Sequence, residues 1–199
     1  SNKSLTTNNG VLYITAADIQ VQGAITSGTA AMFIQTTNQR TIGLGSSKDM
    51  TIDAAELGKL TATGLTIGAS TSNKDITVVG ISEASSNTVT AVLTLLARVD
   101  DSSVTFATAG CTFNALAVQA DNGVVVTVAL TTDTGAMYLD GDKETSAGAD
   151  SVNTVGFADG VAVTAKTVLT LKASTGSIAP AGAVTLNAGT GVVILDNMT

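Results

Sequence analysis

The sequence predicts an all-β fold, a right-handed parallel β-helix (β-solenoid) of about eight coils of 18–28 residues. Short runs in which apolar and small polar residues alternate recur along the chain, as at 11–15, 31–35 and 76–80, and this period of two is typical of strands. The chain has 33 Thr and 20 Gly, but only 3% aromatic residues and no Trp. This composition favours β-structure around a thin core of small aliphatic side chains.

The spacing of similar strand starts predicts the coil length. Successive starts lie roughly 18–28 residues apart, which is the size of one solenoid coil. They are Leu12, Met32, Met50, Ile76, Val104 and Val125. A coil of this size cannot bury its own inner face, but stacked coils form continuous apolar rows. Handedness follows from the general preference of parallel crossovers.

Internal similarity supports a repeated turn-and-strand unit. The segment 46–52 resembles the segment 72–78, and the segment 120–126 resembles 188–194. The only competing helical piece is 54–60. A β-sandwich is the structural alternative, although a sandwich usually supplies a large aromatic residue or a disulfide at its centre.

The sequence also predicts what the open ends of the solenoid contact. Residues 186–194 resemble residues 5–13, and an uncapped solenoid leaves unpaired backbone groups at both ends. We therefore expect residues 1–199 to form a single β-solenoid module. This module would be a segment of a tandem array, or a subunit that stacks head to tail on itself through its open ends.

Charge and hydropathy exclude other partners. A net charge of −7 with nine Lys and Arg argues against nucleic acid, which needs clustered basic residues. No run reaches the roughly 18 to 20 apolar residues that span a bilayer. The glycine-rich piece 43–45 lacks the Lys of a phosphate-binding loop, and we predict no cofactor.

Catalysis is not expected. The absence of His excludes triads and His-based metal sites, and Cys111 is interpreted as a small core residue. Carboxylates are densest at Asp140, Asp142 and Glu144, with Asp133 and Asp150 nearby. A polysaccharide-active enzyme is therefore an alternative, but two Tyr and four Phe provide few sugar platforms. We predict no catalytic residue.

The sequence also contains candidates for a metal site and for glycosylation. Asp140, Asp142 and Glu144 could supply oxygen ligands to Ca²⁺, but the stretch lacks EF-hand spacing. We therefore predict no metal site and interpret the stretch as a solvated turn, with Ca²⁺ binding as the alternative. Asn2 and Asn197 each begin an Asn-x-Ser/Thr acceptor for glycosylation.

Ice binding is a further alternative. It would require Thr-x-Thr at a fixed place in successive coils. The sequence has this pattern at 61–63, 88–90 and 132–134, scattered among coils of varying length.

Residues 12–19, 64–68 and 183–191 resemble coils of filamentous-haemagglutinin-type adhesins, and similar Thr- and Gly-rich repeats occur in large surface proteins of bacteria, algae and other protists. The resemblance implies an extracellular or cell-surface protein, with a structural, non-catalytic role in a stiff rod, surface hair, filament or adhesin stalk. The alternative is an adhesin module that binds surface glycans or proteins through loops such as 140–150 or 82–87. No functional residue is transferred.

Overall fold

The computed structural model describes residues 3–143 and 152–199. Within these ranges the chain is nearly all β, with two helices of four residues each, α1 (Ala54–Leu57) and α2 (Glu83–Ser86). Helix α1 lies in the piece predicted to be helical and begins at an Asp53–Glu56 capping box. The strands are β1 (Ser4–Thr6), β2 (Leu12–Ala16), β3 (Ala24–Thr26), β4 (Met32–Thr36), β5 (Arg40–Leu44), β6 (Met50–Ile52), β7 (Leu60–Thr61), β8 (Leu65–Ala69), β9 (Asn73–Val78), β10 (Val92–Ala97), β11 (Val104–Phe106), β12 (Cys111–Phe113), β13 (Ala115–Ala120), β14 (Val124–Val126), β15 (Leu130–Thr132), β16 (Met137–Asp140), β17 (Val155–Phe157), β18 (Val161–Ala165), β19 (Val168–Lys172), β20 (Ile178–Pro180), β21 (Val184–Ala188) and β22 (Gly191–Ile194).

The strands form four parallel sheets. An eight-stranded sheet has the order β2-β4-β8-β10-β13-β16-β19-β22, and a seven-stranded sheet has the order β20-β17-β14-β11-β9-β5-β6. A three-stranded sheet (β1-β3-β7) and a four-stranded sheet (β12-β15-β18-β21) are linked by an isolated bridge at Ala62 and Val89 and by the contact of α2 with β12. Every strand pairing among the described residues is parallel. The β-sandwich alternative is therefore wrong, because its strands pair antiparallel.

Successive strands return to the same sheets in order. The chain repeatedly passes from the three- or four-stranded sheet to the eight-stranded sheet, and then to the seven-stranded side. Consecutive strands of one sheet are consequently separated by strands of the others. The all-β prediction is confirmed, and the parallel arrangement is compatible with a β-helix.

Two apolar rows run through the eight-stranded sheet and form much of the core. One row contains Leu12, Met32, Leu65, Leu93, Leu116, Met137, Leu169 and Val192. The other contains Ile14, Ile34, Ile67, Leu95, Val118, Leu139, Leu171 and Ile194. The members from β4 to β19 are at most 1% exposed. Residues between them, such as Thr66 and Thr94, point outward because strand side chains alternate.

The range of coil lengths predicted from the sequence is too narrow. Three steps along the Leu12 row are as long as the longest predicted coil or longer: Met32 to Leu65, Leu65 to Leu93 and Met137 to Leu169. The step from Met32 to Leu65 contains an extra strand, because the chain turns back after β5 and lays β6 parallel beside it, with Ile42 opposite Met50. Gly45 makes this turn with φ +75°, and a Cβ there would lie 2.0 Å from the carbonyl oxygen of Val79.

Met50 therefore does not continue the row of Leu12 and Met32, as the spacing had suggested. It begins the edge strand of the seven-stranded sheet. Ile76 and Val104 lie opposite each other in that same sheet, where the next partner is Val124, one residue before Val125. The strand starts predicted from the sequence therefore belong to two different sheets. A period of two identifies a strand, but it does not identify the sheet that the strand joins.

The internal similarities have different structural meanings. Strands β6 and β9, from the similar segments 46–52 and 72–78, flank β5 on its two sides. Residues 120–126 and 188–194 are not equivalent, because β14 lies in the seven-stranded sheet and β22 in the eight-stranded sheet. The alignment of 186–194 with 5–13 is displaced by one residue, since Val192 shares its row with Leu12.

In the described part of the chain, helices long and apolar enough to cross a membrane are absent.

The burial along one row generates a stability prediction. We expect Ile67→Ala, in the middle of the Ile14 row, to lower the free energy of unfolding by about 2–5 kcal/mol. Ile14→Ala removes the same atoms from a half-buried position at the end of the row and should cost less than half as much. Urea unfolding followed by circular dichroism measures both variants. Equal losses would contradict the burial pattern.

Candidate functional site

Buried or half-buried Asn and Asp side chains hold the corners where the chain leaves the eight-stranded sheet. Asn73 accepts a hydrogen bond from the backbone N–H of Ala69 (2.6 Å) and donates to the carbonyl of Leu96 in the following coil (2.9 Å). Asp196 accepts from the N–H groups of Ala173 (2.6 Å) and Ser174 (3.1 Å) in the preceding coil. These side chains join consecutive corners and supply acceptors to backbone N–H groups. A buried N–H group without an acceptor would lower the stability of the folded state.

The predicted acidic group falls on one of these corners. Asp140 and Asp142 are both fully buried. Asp140 Oδ2 accepts the hydroxyl of Tyr138 (2.7 Å) and lies 3.5 Å from the ammonium of Lys172. Asp142 Oδ2 accepts the N–H of Thr175 (2.6 Å) and its hydroxyl. The reading of this stretch as a solvated turn is therefore wrong for both aspartates, which serve as acceptors inside the corner.

The Ca²⁺ hypothesis for Asp140, Asp142 and Glu144 stays an untested alternative. Glu144 lies outside the described residues. Within those residues, no three Asp, Glu or Cys side chains form a group that could hold a metal ion. The hydrogen bonds of Asp140 and Asp142 give each carboxylate a structural role that requires no ion.

The other carboxylates considered for an enzyme are not brought into this corner. Asp133 lies in the turn after β15 of the four-stranded sheet and accepts the hydroxyl of Thr134 (3.1 Å). Asp150 lies outside the described residues. Asp133 therefore follows a strand of a different sheet from β16, the strand that ends at Asp140.

Cys111 lies in the core, as the sequence suggests. It is 2% exposed and shares a row of the four-stranded sheet with Leu130 and Val163. Burial raises the pKa of the Cys111 thiol above its ordinary value. The thiolate form needed for nucleophilic chemistry is therefore disfavoured.

The glycosylation candidates differ in what the structure shows. Asn2 lies outside the described residues. Asn197 is exposed, and its carbonyl accepts the N–H of Ile178 (2.8 Å) beyond the edge strand β20. The side chain is thus placed at one end of the strand stack.

The three Thr-x-Thr segments do not form one row. The bridge between Ala62 and Val89 places segment 61–63 beside segment 88–90. Thr132 of the third segment instead points inward, is 1% exposed and donates to the carbonyl of Gly135 (2.9 Å). Of these three segments, only 61–63 and 88–90 consequently lie side by side.

An open groove crosses the four-stranded sheet. It has a volume of about 590 Å³ and is lined by Thr131, Thr132, Asp133, Thr164, Ala165, Lys166, Asn187, Ala188 and Gly189. Its polar lining consists of hydroxyl, amide and charged side chains. Such groups could hydrogen-bond a sugar or a peptide backbone.

The two ends of the strand stack carry most of the exposed apolar side chains. Of ten large hydrophobic residues that are exposed in the described chain, eight lie in or beside end strands: Leu5, Val11, Tyr13, Val192, Val193, Ile194, Leu195 and Met198. At one end are the edge strands β1, β2 and β6, and at the other are β20, β21 and β22. Sequence patterns placed Val11, Tyr13 and residues 192–195 in strands but did not show that they would be exposed.

The Tyr138 hydroxyl gives a pH prediction. Burial, and then the hydrogen bond to the Asp140 carboxylate, raise the pKa of Tyr138 above its ordinary value of 10.0. The stabilisation from the protonated phenol is complete below the unfolded-state pKa and is lost as pH rises through the higher folded-state value. In an alkaline titration at 295 nm, we expect Tyr138 to ionise only above pH 10.

Tyr138→Phe is the control, because Tyr13 is then the one tyrosine that contributes to the signal. Ionisation of both tyrosines near pH 10 in the folded protein would contradict the burial of the Tyr138 hydroxyl.

Cys111 provides a second check of the core. With Ellman's reagent at pH 8, we expect the folded protein to react at least about 100-fold more slowly than the protein in guanidinium, since reaction requires opening of the sheet. Similar rates in the two conditions would place Cys111 at the surface.

Comparison with known proteins leaves the candidate sites to be judged from this chain alone. No family model, no curated protein and no solved structure matches it.

Proposed function

We propose that the chain is a right-handed parallel β-helix that serves as a structural, non-catalytic module of an extracellular rod, surface hair, filament or adhesin stalk. The observation that carries this proposal is the burial along the inward rows. The Ile14 row is 0% exposed from Ile34 to Leu171, but Ile194 at one end is 43% exposed. A stack with such ends is completed by further strands.

A stack of this kind suits a mechanical role. Parallel ladders join each strand to its neighbours above and below, and the inward rows exclude water between the sheets. Eight strands at ~4.8 Å give a height of roughly 40 Å. Adding coils lengthens the rod without changing its cross-section.

The sequence supports the surface location and the absence of catalysis. The resemblance to filamentous-haemagglutinin-type adhesins is the basis for an extracellular position. The chain has no His, its single Cys is buried, and the hydrogen bonds of Asp140 and Asp142 are those of a corner. We assign no catalytic residue.

The groove on the four-stranded sheet favours a second candidate function, an adhesin module that binds a glycan. Thr131, Thr164 and Asn187 follow one outward row across three coils, with Asp133 and Lys166 beside them. A glycan chain could hydrogen-bond successive members of this row. Binding to a glycan array that Asn187→Ala and Lys166→Ala abolish, while Thr94→Ala on another sheet does not, would support this function.

Electron microscopy of the native material tests the structural proposal. We expect rods much longer than about 40 Å, the height of eight coils, with one constant cross-section. Compact particles no longer than one stack would overturn the fibre role and favour the binding module.

A further inference from the structure

We propose that the strand completing each end belongs to a second copy of this chain, which stacks head to tail with β22 of one copy pairing in parallel with β2 of the next. The register places Val192 opposite Leu12, Val193 opposite Tyr13 and Ile194 opposite Ile14. This inference rests on the proposed function and names the partner of its open ends.

The first support is the continuity of the apolar rows. Every pairing of the eight-stranded sheet keeps the Leu12 row in line, from Leu12 to Val192. Joining β22 to β2 in this register extends both inward rows without a step. A slip of one residue would turn every inward side chain of the added strand outward.

The exposed fractions agree with this pairing. Val192 and Ile194 are 40% and 43% exposed at one end, while Leu12 and Ile14 are half-buried at the other. On the outer surface the pairing places Val193, 41% exposed, against Tyr13, 71% exposed. The Tyr13 ring already stacks on Phe33 with centroids 4.9 Å apart, so Val193 would cover its free side.

Geometry selects head-to-tail stacking over a two-fold dimer. A two-fold axis across the end would reverse the strand direction and the cyclic order of the sheets, so only one sheet could continue into its own counterpart. Head-to-tail contact continues all of them: β21 meets β1, β22 meets β2, and residues 197–199, which pair with β20, meet β6. Such heterologous contact does not close and produces a filament.

Charge permits this contact. Residues 173–199, which contain β20, β21 and β22, include one charged side chain, Asp196. The end at β22 therefore brings little like charge against the end at β2.

Complementation of blocked ends tests the polarity. On the isolated chain, Ile14→Lys blocks one end and Ile194→Lys blocks the other, and both positions are partly exposed in a single copy, which favours folding of the variants. By light scattering we expect each variant alone to be monomeric. An equimolar mixture should form dimers, because each variant keeps the end that the other lacks.

The possible results are distinct. Assembly of Ile194→Lys alone would show that copies meet through β2 and would overturn the inference. A wild-type chain that stays monomeric at all concentrations would also overturn it. If native rods are nevertheless seen by microscopy, the proposed function stands and only the noncovalent second copy fails.

Disulfide crosslinking tests the register. In a parallel pair, opposite residues have Cα atoms about 4.8 Å apart, within disulfide range, whereas a shift of two residues separates them by about 8 Å. Oxidised Tyr13→Cys/Val193→Cys protein should give a ladder of multimers on a non-reducing gel. The matched control, Thr15→Cys/Val193→Cys, should give at least about tenfold less, and equal crosslinking of both would overturn the register.

Discussion

In the eight-stranded sheet, an inward side chain is fully buried only where a strand lies on both sides of its own. Met50 and Ile52 of the edge strand β6 are buried with one neighbouring strand, so this dependence belongs to the eight-stranded sheet. Within a single coil, a residue such as Ile67 would have no apolar neighbour above or below, and its burial depends on Ile34 and Leu95 in the adjacent strands. The ladder of parallel backbone hydrogen bonds holds these neighbours in line. The core is therefore a set of rows, and each row is complete only in its interior.

Because the rows impose register, the corners absorb the variation between coils. The shortest step along the Leu12 row, from Leu12 to Met32, and the longest, from Met32 to Leu65, both keep the row in line. The extra length is accommodated by β6, which folds back beside β5. Elsewhere the corners are held by side-chain acceptors such as the buried Asn73 and the half-buried Asp196. A carboxylate in this molecule is consequently as much a structural acceptor for backbone N–H groups as a surface charge.

Local patterns predicted the strands well, since alternation reports which side chains point inward. They could not predict the sheet that a strand joins, because β14 and β22 have nearly the same sequence and lie in different sheets. Burial of polar groups was also hidden from the sequence. Asp140 and Asp142 were interpreted as part of a solvated turn, and only the neighbouring Tyr138 and Thr175 reveal why they are buried.

The proposed structural role rests on the same rows, because their interior members are buried and their members in β22 are exposed. Hydrogen exchange of the isolated monomer, resolved by strand, tests this dependence most directly. We expect amides of β8, β10 and β13 to be protected nearly to the global unfolding limit, and those of β2 and β22 to exchange at least about 100-fold faster. Protection that is uniform, or highest in β2 and β22, would contradict the dependence of each row on strands above and below.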